Sequence, residues 1–315
     1  MSKPDKGQSF AAFGDRIGYD IGPDMVRNIA LQHQKIFDFF PDFGMFIASY
    51  IVRKSFSRRT TAPTAIKDCI CFFFLNVFED PVAGPRGRPG TIRERPLVRV
   101  FPSGHSHMSH FKKGAHRKIV SIMISGDYLK SFLKADASRF RFLFETDQTY
   151  WIEEVMSDEM LRTVNAIVQK EEPDGLKAYH YRLKGLELLY YLFQSLNGRD
   201  QSIYQKLRDA DIRAMYKVRD RLVASLDQFT PVATLQQIAR MNEVKMRQLF
   251  KQIFGRGIYD YFQDFRMREA ARLIREERLS VSEAGYRLGF SNLSHFSRVF
   301  EKYIGKKPKK YSSGL

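Results

Sequence analysis

The chain has 315 residues, long for one core and natural for two domains. With 43% hydrophobic and 14% aromatic residues it has the apolar surface for a packed core, which excludes a disordered chain. Its 52 Lys and Arg against 35 Asp and Glu leave a formal charge of +17, which suits nucleic acid, an acidic ligand or an anionic surface without choosing among them.

The segment from Asp24 to Phe40 has mixed helical spacing and stops before Pro41. From Ile66 to Ile124 the character is strand-like. Apolar runs at Ile70–Phe78, Leu97–Phe101 and Ile119–Ile124 are broken by the turn signals Gly84-Pro85, Pro89-Gly90, Pro102-Ser-Gly104 and Lys113-Gly114. Short strands at that spacing predict a small β-barrel or sandwich. Cys69 and Cys71, the only cysteines, fall two apart on one of these runs and read as small core hydrophobes in a reducing compartment. The opening MSKPDKGQSF has no apolar signal region, and no apolar run reaches the length of a membrane span. The expectation is a cytoplasmic protein without a membrane partner.

From about Tyr128 the pattern turns helical. Leu176 to Leu196 places Leu183, Leu186, Leu188, Leu189, Leu192 and Phe193 on one broad apolar face, and Asn197-Gly198 stops it. Such a helix docks on the barrel or on a second copy of itself, making a homodimer. Arg199 to Asp211 reads as a polar linker or helix start. Residues 211–315 show almost no strand signal and hold 21 Lys and Arg against 11 Asp and Glu, the footprint expected for phosphate contacts.

The clearest unit lies at Ser280–Phe300. Ser280 caps a helix with Glu283 reaching back, and Val281, Ala284, Gly285 and Leu288 form its inner stripe. Gly289 permits a sharp turn through positive φ, and Asn292 caps the next helix. Phe296, Val299 and Phe300 face inward, while Leu293, Ser294, Ser297 and Arg298 face outward, toward base edges or phosphates. This is the logic of a support helix and a recognition helix. A second copy lies about fifty residues upstream. Thr230 caps it, Pro231 takes the first helical position, and Val232, Leu235 and Ala239 supply the stripe. Asn242 then caps a helix with Met246, Leu249, Phe250 and Ile253 inward and Val244, Lys245, Arg247, Gln248 and Lys251 outward. Between the copies, Tyr259 to Arg278 forms an amphipathic spacer helix.

Two such units joined by one helix resemble the DNA-binding domain of the AraC/XylS family. The resemblance runs from about Arg213 to Tyr311 and rests on Phe265-Arg-Met-Arg-Glu-Ala-Ala-Arg-Leu, on Gly289-Phe-Ser-Asn-Leu-Ser-His-Phe-Ser-Arg-Val-Phe300 and on the closing Lys307-Pro308-Lys-Lys-Tyr311. It implies that both recognition helices enter successive major-groove segments of duplex promoter DNA. Val244, Arg247 and Gln248 of the first helix and Leu293, Ser294 and Arg298 of the second then meet bases. Arg suits guanine, Gln suits adenine, and Leu suits a thymine methyl. RNA polymerase is a further expected partner. The first turn departs from the family. Either Ile238-Ala239 occupies its Leu-Ala place across a gap of about three residues, or Leu235-Gln236 does and Arg240 stands at the glycine. The second alignment is favoured, because the inner stripes then mirror each other. On either alignment the first turn lacks glycine.

Cys69-Ile-Cys-Phe-Phe-Phe-Leu-Asn, Phe101-Pro-Ser-Gly-His and Ile122-Met-Ile-Ser-Gly-Asp-Tyr-Leu resemble the sensory half of regulators of the pyochelin-regulator type. This weaker resemblance implies a barrel that holds an effector. Four of the seven histidines, His105, His107, His110 and His116, crowd one segment, and the loop from Arg86 to Arg99 is strongly cationic. Arg95, Arg99, His105 and His107 are therefore the candidate site for a small, anionic effector. No carboxylate or cysteine completes a metal set beside the histidines, so neither metal nor cofactor is expected.

The expected architecture is α+β. A β-barrel-like sensory domain spans 1–145, a helical linker or dimerisation segment 146–210, and an all-α DNA-binding domain with two helix-turn-helix units 211–315. The sequence holds no nucleophile–base pair, phosphate loop or paired carboxylates, so an enzyme is not expected. A ligand-independent or non-specific DNA binder is the alternative.

Overall fold

The computed structural model describes residues 22–39, 42–61, 65–75, 96–102, 106–145, 150–169, 176–199 and 204–313, together with residue 14. The chain divides into two compact units, Met1–Leu207 and Arg208–Leu315.

In the first unit, helix α1 (Pro23–Asn28) leads into strands β1 (Ile29–Phe39), β2 (Phe43–Val52), β3 (Phe56–Thr61), β4 (Cys69–Leu75), β5 (Leu97–Pro102), β6 (Ser106–Phe111) and β7 (His116–Ser125). Helix α2 (Gly126–Leu133), a 3-10 segment (Lys134–Leu143), strand β8 (Ile152–Val155) and helices α3 (Asp158–Gln169) and α4 (Lys177–Asn197) follow. Six strands make one antiparallel sheet in the order β1-β2-β7-β4-β5-β8, while β3 and β6 form a separate ribbon. The half is β-rich as expected, and among the described residues its sheet is open rather than closed into a barrel. The apolar runs become β4, β5 and β7, and Gly114, at φ 80°, takes the turn between β6 and β7.

Two expectations are corrected. The helical spacing over Asp24–Phe40 holds only for α1, and Ile29–Phe39 pairs instead with β2. A register shift between Leu31 and His33 breaks the two-residue alternation that marks a strand, which is why the sequence hid it. Within the segment read as a helical linker, Ile152–Val155 is a strand paired with β5. In both cases sheet pairing overrides local preference.

The core joins Phe43, Met45, Ile47, Phe72, Phe74, Ile122 and Ile124 of the sheet to Tyr181, Leu188, Leu189 and Leu192 of α4. Gly185 brings α4 close, since a Cβ there would stand 2.9 Å from Phe43 Cζ. The stripe on α4 is therefore divided. Leu188, Leu189, Leu192 and Phe193 are buried in their own unit, whereas Leu183 is exposed. Cys69 and Cys71 are free, fully buried thiols on β4, 3.9 Å apart, and burial pushes the Cys71 thiol above its usual range.

The second unit is helical throughout its described length: α5 (Asp209–Val223), α6 (Val232–Ala239), α7 (Glu243–Phe254), α8 (Ile258–Glu276), α9 (Val281–Arg287), α10 (Leu293–Ile304) and α11 (Pro308–Ser313). Phe262, Met267, Ala270, Leu273 and Ile274 of α8 are buried, and Met267 to Ile274 share a core with Ala284, Leu288, Phe296 and Phe300.

Candidate nucleic-acid interface

Helices α6 and α7 form one helix-turn-helix and α9 and α10 the other, with α8 between them. In the second helix-turn-helix Glu283 N donates to Ser280 Oγ at 3.2 Å and Ser280 N donates to Glu283 Oε2 at 2.8 Å, closing the expected capping box. Hydrogen bonding to Ser280 holds the Glu283 carboxyl below its ordinary pKa. His295 N donates to Asn292 Oδ1 at 3.0 Å, so Asn292 starts the recognition helix, and Phe296 and Phe300 are fully buried beneath it. In the first helix-turn-helix Lys245 N donates to Asn242 Oδ1 at 2.9 Å, and Met246, Leu249, Phe250 and Ile253 are buried.

The turns settle the alignment left open by the sequence. Arg240 is left-handed at φ 53°, as Gly289 is at φ 77°. Arg240 therefore occupies the glycine's place, and its turn reaches the capping asparagine one residue sooner. Leu235 and Ala239 then match the buried Ala284 and Leu288. Thr230 is not the cap. Helix α6 starts at Val232 behind Pro231 with no side-chain cap, and Thr230 is buried.

Val244, Lys245, Arg247, Gln248 and Lys251 are exposed on α7, and Ser294 and Arg298 are exposed on α10. Leu293 is half-buried because it lies on Gly285, where a Cβ would stand 2.9 Å from Leu293 Cδ2. Leu293, Ser294, Ser297, Arg298, Glu301 and Lys307 line a shallow depression of about 400 Å³. Asn242 and Asn292 each use the side-chain oxygen as a cap, which fixes the start of α7 and of α10. The outward faces of α7 and α10 differ in charge. Lys245 Nζ lies 3.0 Å from Asp211 Oδ1, and Arg247 Nε lies 2.6 Å from Glu243 Oε1. Among the described residues Arg298 has no carboxylate within ion-pair distance.

A buried arginine ties the second turn to the loop ahead of the first unit. Arg266 on α8 donates from Nε to Leu288 O at 2.9 Å and from Nη2 to both Leu288 O and Asp227 O, and its guanidinium lies 3.8 Å from the Phe290 ring centroid. Burial lowers its pKa, against the opposing influence of Tyr259 and Asp227. The signal for it was present in the sequence: Arg266 shares helical spacing with Phe262, Ala270 and Leu273, and so sits on the apolar face.

In the first unit of the chain, Arg99 on β5 does not stand free, because its Nε lies 3.3 Å from the buried Glu153 Oε2. His107 lies on β6, paired with Thr60, while Arg95 and His105 fall outside the described residues. Among the described residues no helix is long and apolar enough to cross a membrane.

Residues 235–314 match a family described as "Helix-turn-helix domain". The regulatory protein PchR of Pseudomonas aeruginosa is 32% identical over 99 residues, 31% of this chain and 33% of that protein. The arabinose operon regulatory protein of Escherichia coli is 24% identical over 123 residues, 39% of this chain and 41% of that protein. A solved AraC-type regulator from Chromobacterium violaceum is 18% identical, with 34% of this chain and 95% of that one covered at a TM-score of 0.31. The chain thus spans less than half the length of these curated relatives. With two capped helix-turn-helix units on one spacer helix, the C-terminal unit is similar to the helix-turn-helix domains of AraC-type regulators.

Proposed function

We propose that the chain is a sequence-specific transcription regulator, which binds duplex promoter DNA through α7 and α10 and answers to a small effector held by its β-rich half. The observation that carries this reading is the doubled recognition unit. A 19-residue spacer is about 28 Å long, on the scale of one turn of duplex, so successive major-groove segments are within reach of the two helices. Val244, Arg247, Gln248, Leu293, Ser294 and Arg298 meet base edges, and Lys245 and Lys251 meet phosphates. The regulator acts in the cytoplasm, at promoters shared with RNA polymerase. The effector site is sought first around Arg95, Arg99, His105 and His107, with Arg99 also serving the sheet through Glu153.

The outer face of α4 supports a homodimer. Leu176, which precedes α4, and Tyr179, Leu183 and Tyr190 on it are each 49–68% exposed and follow one another at steps of three, four and seven residues along one side, a stripe suited to a second copy of the same helix.

The test is to recover duplexes bound by the full chain from a random-sequence pool. A defined enriched site is expected. Arg298→Ala should weaken that site by about 1–3 kcal/mol and leave random duplex nearly unaffected. An unenriched pool would leave only a non-specific binder.

A further inference from the structure

We infer that Lys306, Lys307, Lys309 and Lys310 form a phosphate clamp that grips the DNA backbone beside the segment read by α10. The inference rests on reading the C-terminal unit as a duplex-DNA binder. All four side chains are exposed, and among the described residues none of their ammonium groups has a carboxylate within ion-pair distance. They are also held in place. Gly305, left-handed at φ 79°, ends α10 with its N–H on Glu301 O at 2.9 Å. Pro308 is buried, and the Tyr311 ring packs 5.6 Å from Phe300 on the inner face of the recognition helix. The lysines are thus fixed to the element that reads bases. Glu301, Gly305, Lys306, Lys307 and Lys310 line a second shallow depression of about 460 Å³, which shares Glu301 and Lys307 with the depression beside Arg298. One continuous surface therefore runs from the N-terminus of α10 to Lys310. Glu301 is the carboxylate on it, so backbone phosphates settle on the lysine side.

The matching turn of the first helix-turn-helix shows that this charge is particular to the second. After α7 the chain reads Gly255-Arg256-Gly257-Ile258-Tyr259-Asp260, with Gly255 left-handed at φ 73° as Gly305 is. There Arg256 stands where Lys306 stands, and its Nη1 lies 3.2 Å from the buried Asp264 Oδ1. Tyr259 and Asp260 replace Lys309 and Lys310. The first turn neutralises itself, whereas the second presents four cations to solvent. Multiply charged DNA meets that array with release of condensed counterions, a gain that grows with each phosphate neutralised.

The experiment compares the full chain with a variant in which all four lysines become Gln. Affinity is measured against a random 30-base-pair duplex and a pool-enriched duplex over a salt series. Each phosphate contact contributes a slope of about 0.9 in log K against log salt, so the variant's slope should be shallower by roughly 2–4. Its deficit relative to the parent should therefore narrow by about 15-fold to 250-fold between 50 and 200 mM salt. Both duplexes should lose equally, leaving sequence preference intact, and changing the four lysines to Arg should restore the slope. Melting checks that the Gln variant folds. An unchanged slope, or a loss confined to the enriched duplex, overturns the clamp while leaving the proposed function standing. A parent that binds neither duplex overturns both.

Discussion

Replacing Gly289 by Ala tests the second turn most directly. A Cβ at this position would lie 2.2 Å from Asp227 O and 2.9 Å from Asp227 C, both rigid backbone atoms. The loop at Asp227 would have to retreat by about 1 Å to reach van der Waals distance. That retreat pulls Asp227 O away from Arg266 Nη2, already at 3.4 Å. A side chain at φ 77° adds about 1–2 kcal/mol of backbone strain, and the weakened hydrogen bond from Arg266 costs about 1–2 kcal/mol. Together these predict a loss of about 2–4 kcal/mol, or a fall of roughly 8–30 °C in melting temperature for a domain of this size. Arg240→Gly supplies the contrast. It has the same left-handed backbone, so relief of strain offsets the added freedom of the unfolded chain, and the change should stay within about 1 kcal/mol. Thermal unfolding followed by far-ultraviolet circular dichroism separates the two. A Gly289→Ala protein melting within about 2 °C of the parent would refute the close approach to Asp227.

Arg266→Met should cost about 2–4 kcal/mol in urea unfolding, because the carbonyls of Leu288 and Asp227 lose their donor; an unchanged midpoint would remove the clasp. Acid should also weaken the second unit. Glu277, held low by its hydrogen bond from Arg272 and by Arg287, and Glu283, held low by Ser280, have folded pKa values below their unfolded ones. Their contribution is complete above the ordinary glutamate range and is lost as pH falls through the depressed values, so a Glu277→Gln, Glu283→Gln protein should show a flatter acid limb in melting temperature against pH. If the limb is as steep as the parent's, these carboxylates do not govern it. Finally, Leu183→Glu with Tyr190→Glu should convert a dimer into a monomer in sedimentation velocity. A parent already monomeric, or a variant still dimeric, would exclude this face of α4.

Much of the second unit was legible because its determinants are local. The Ser280–Glu283 box, the capping Asn242 and Asn292, and the 3.6-residue stripes through Phe250 and Phe300 each depend on neighbours within a turn or two of helix. Those residues determine where helices start, which faces are inner and which side chains face out. Sheet pairing acts over longer separations. Ile29–Phe39 became a strand through β2, with its alternation broken at Leu31, and Ile152–Val155 became one through β5. Tertiary packing also decided the state of each charge. Arg99 meets Glu153 across 54 positions in sequence, and Arg266 reaches Asp227 across 39. Lys245 finds Asp211, while the four lysines after Gly305 find no carboxylate among the described residues. Sequence alone revealed that the last third is basic and carries two helix-turn-helix units, because charge and helical periodicity are additive along a chain. Which cations are neutralised internally, and which are left for a partner, depends on distances that only the folded chain creates.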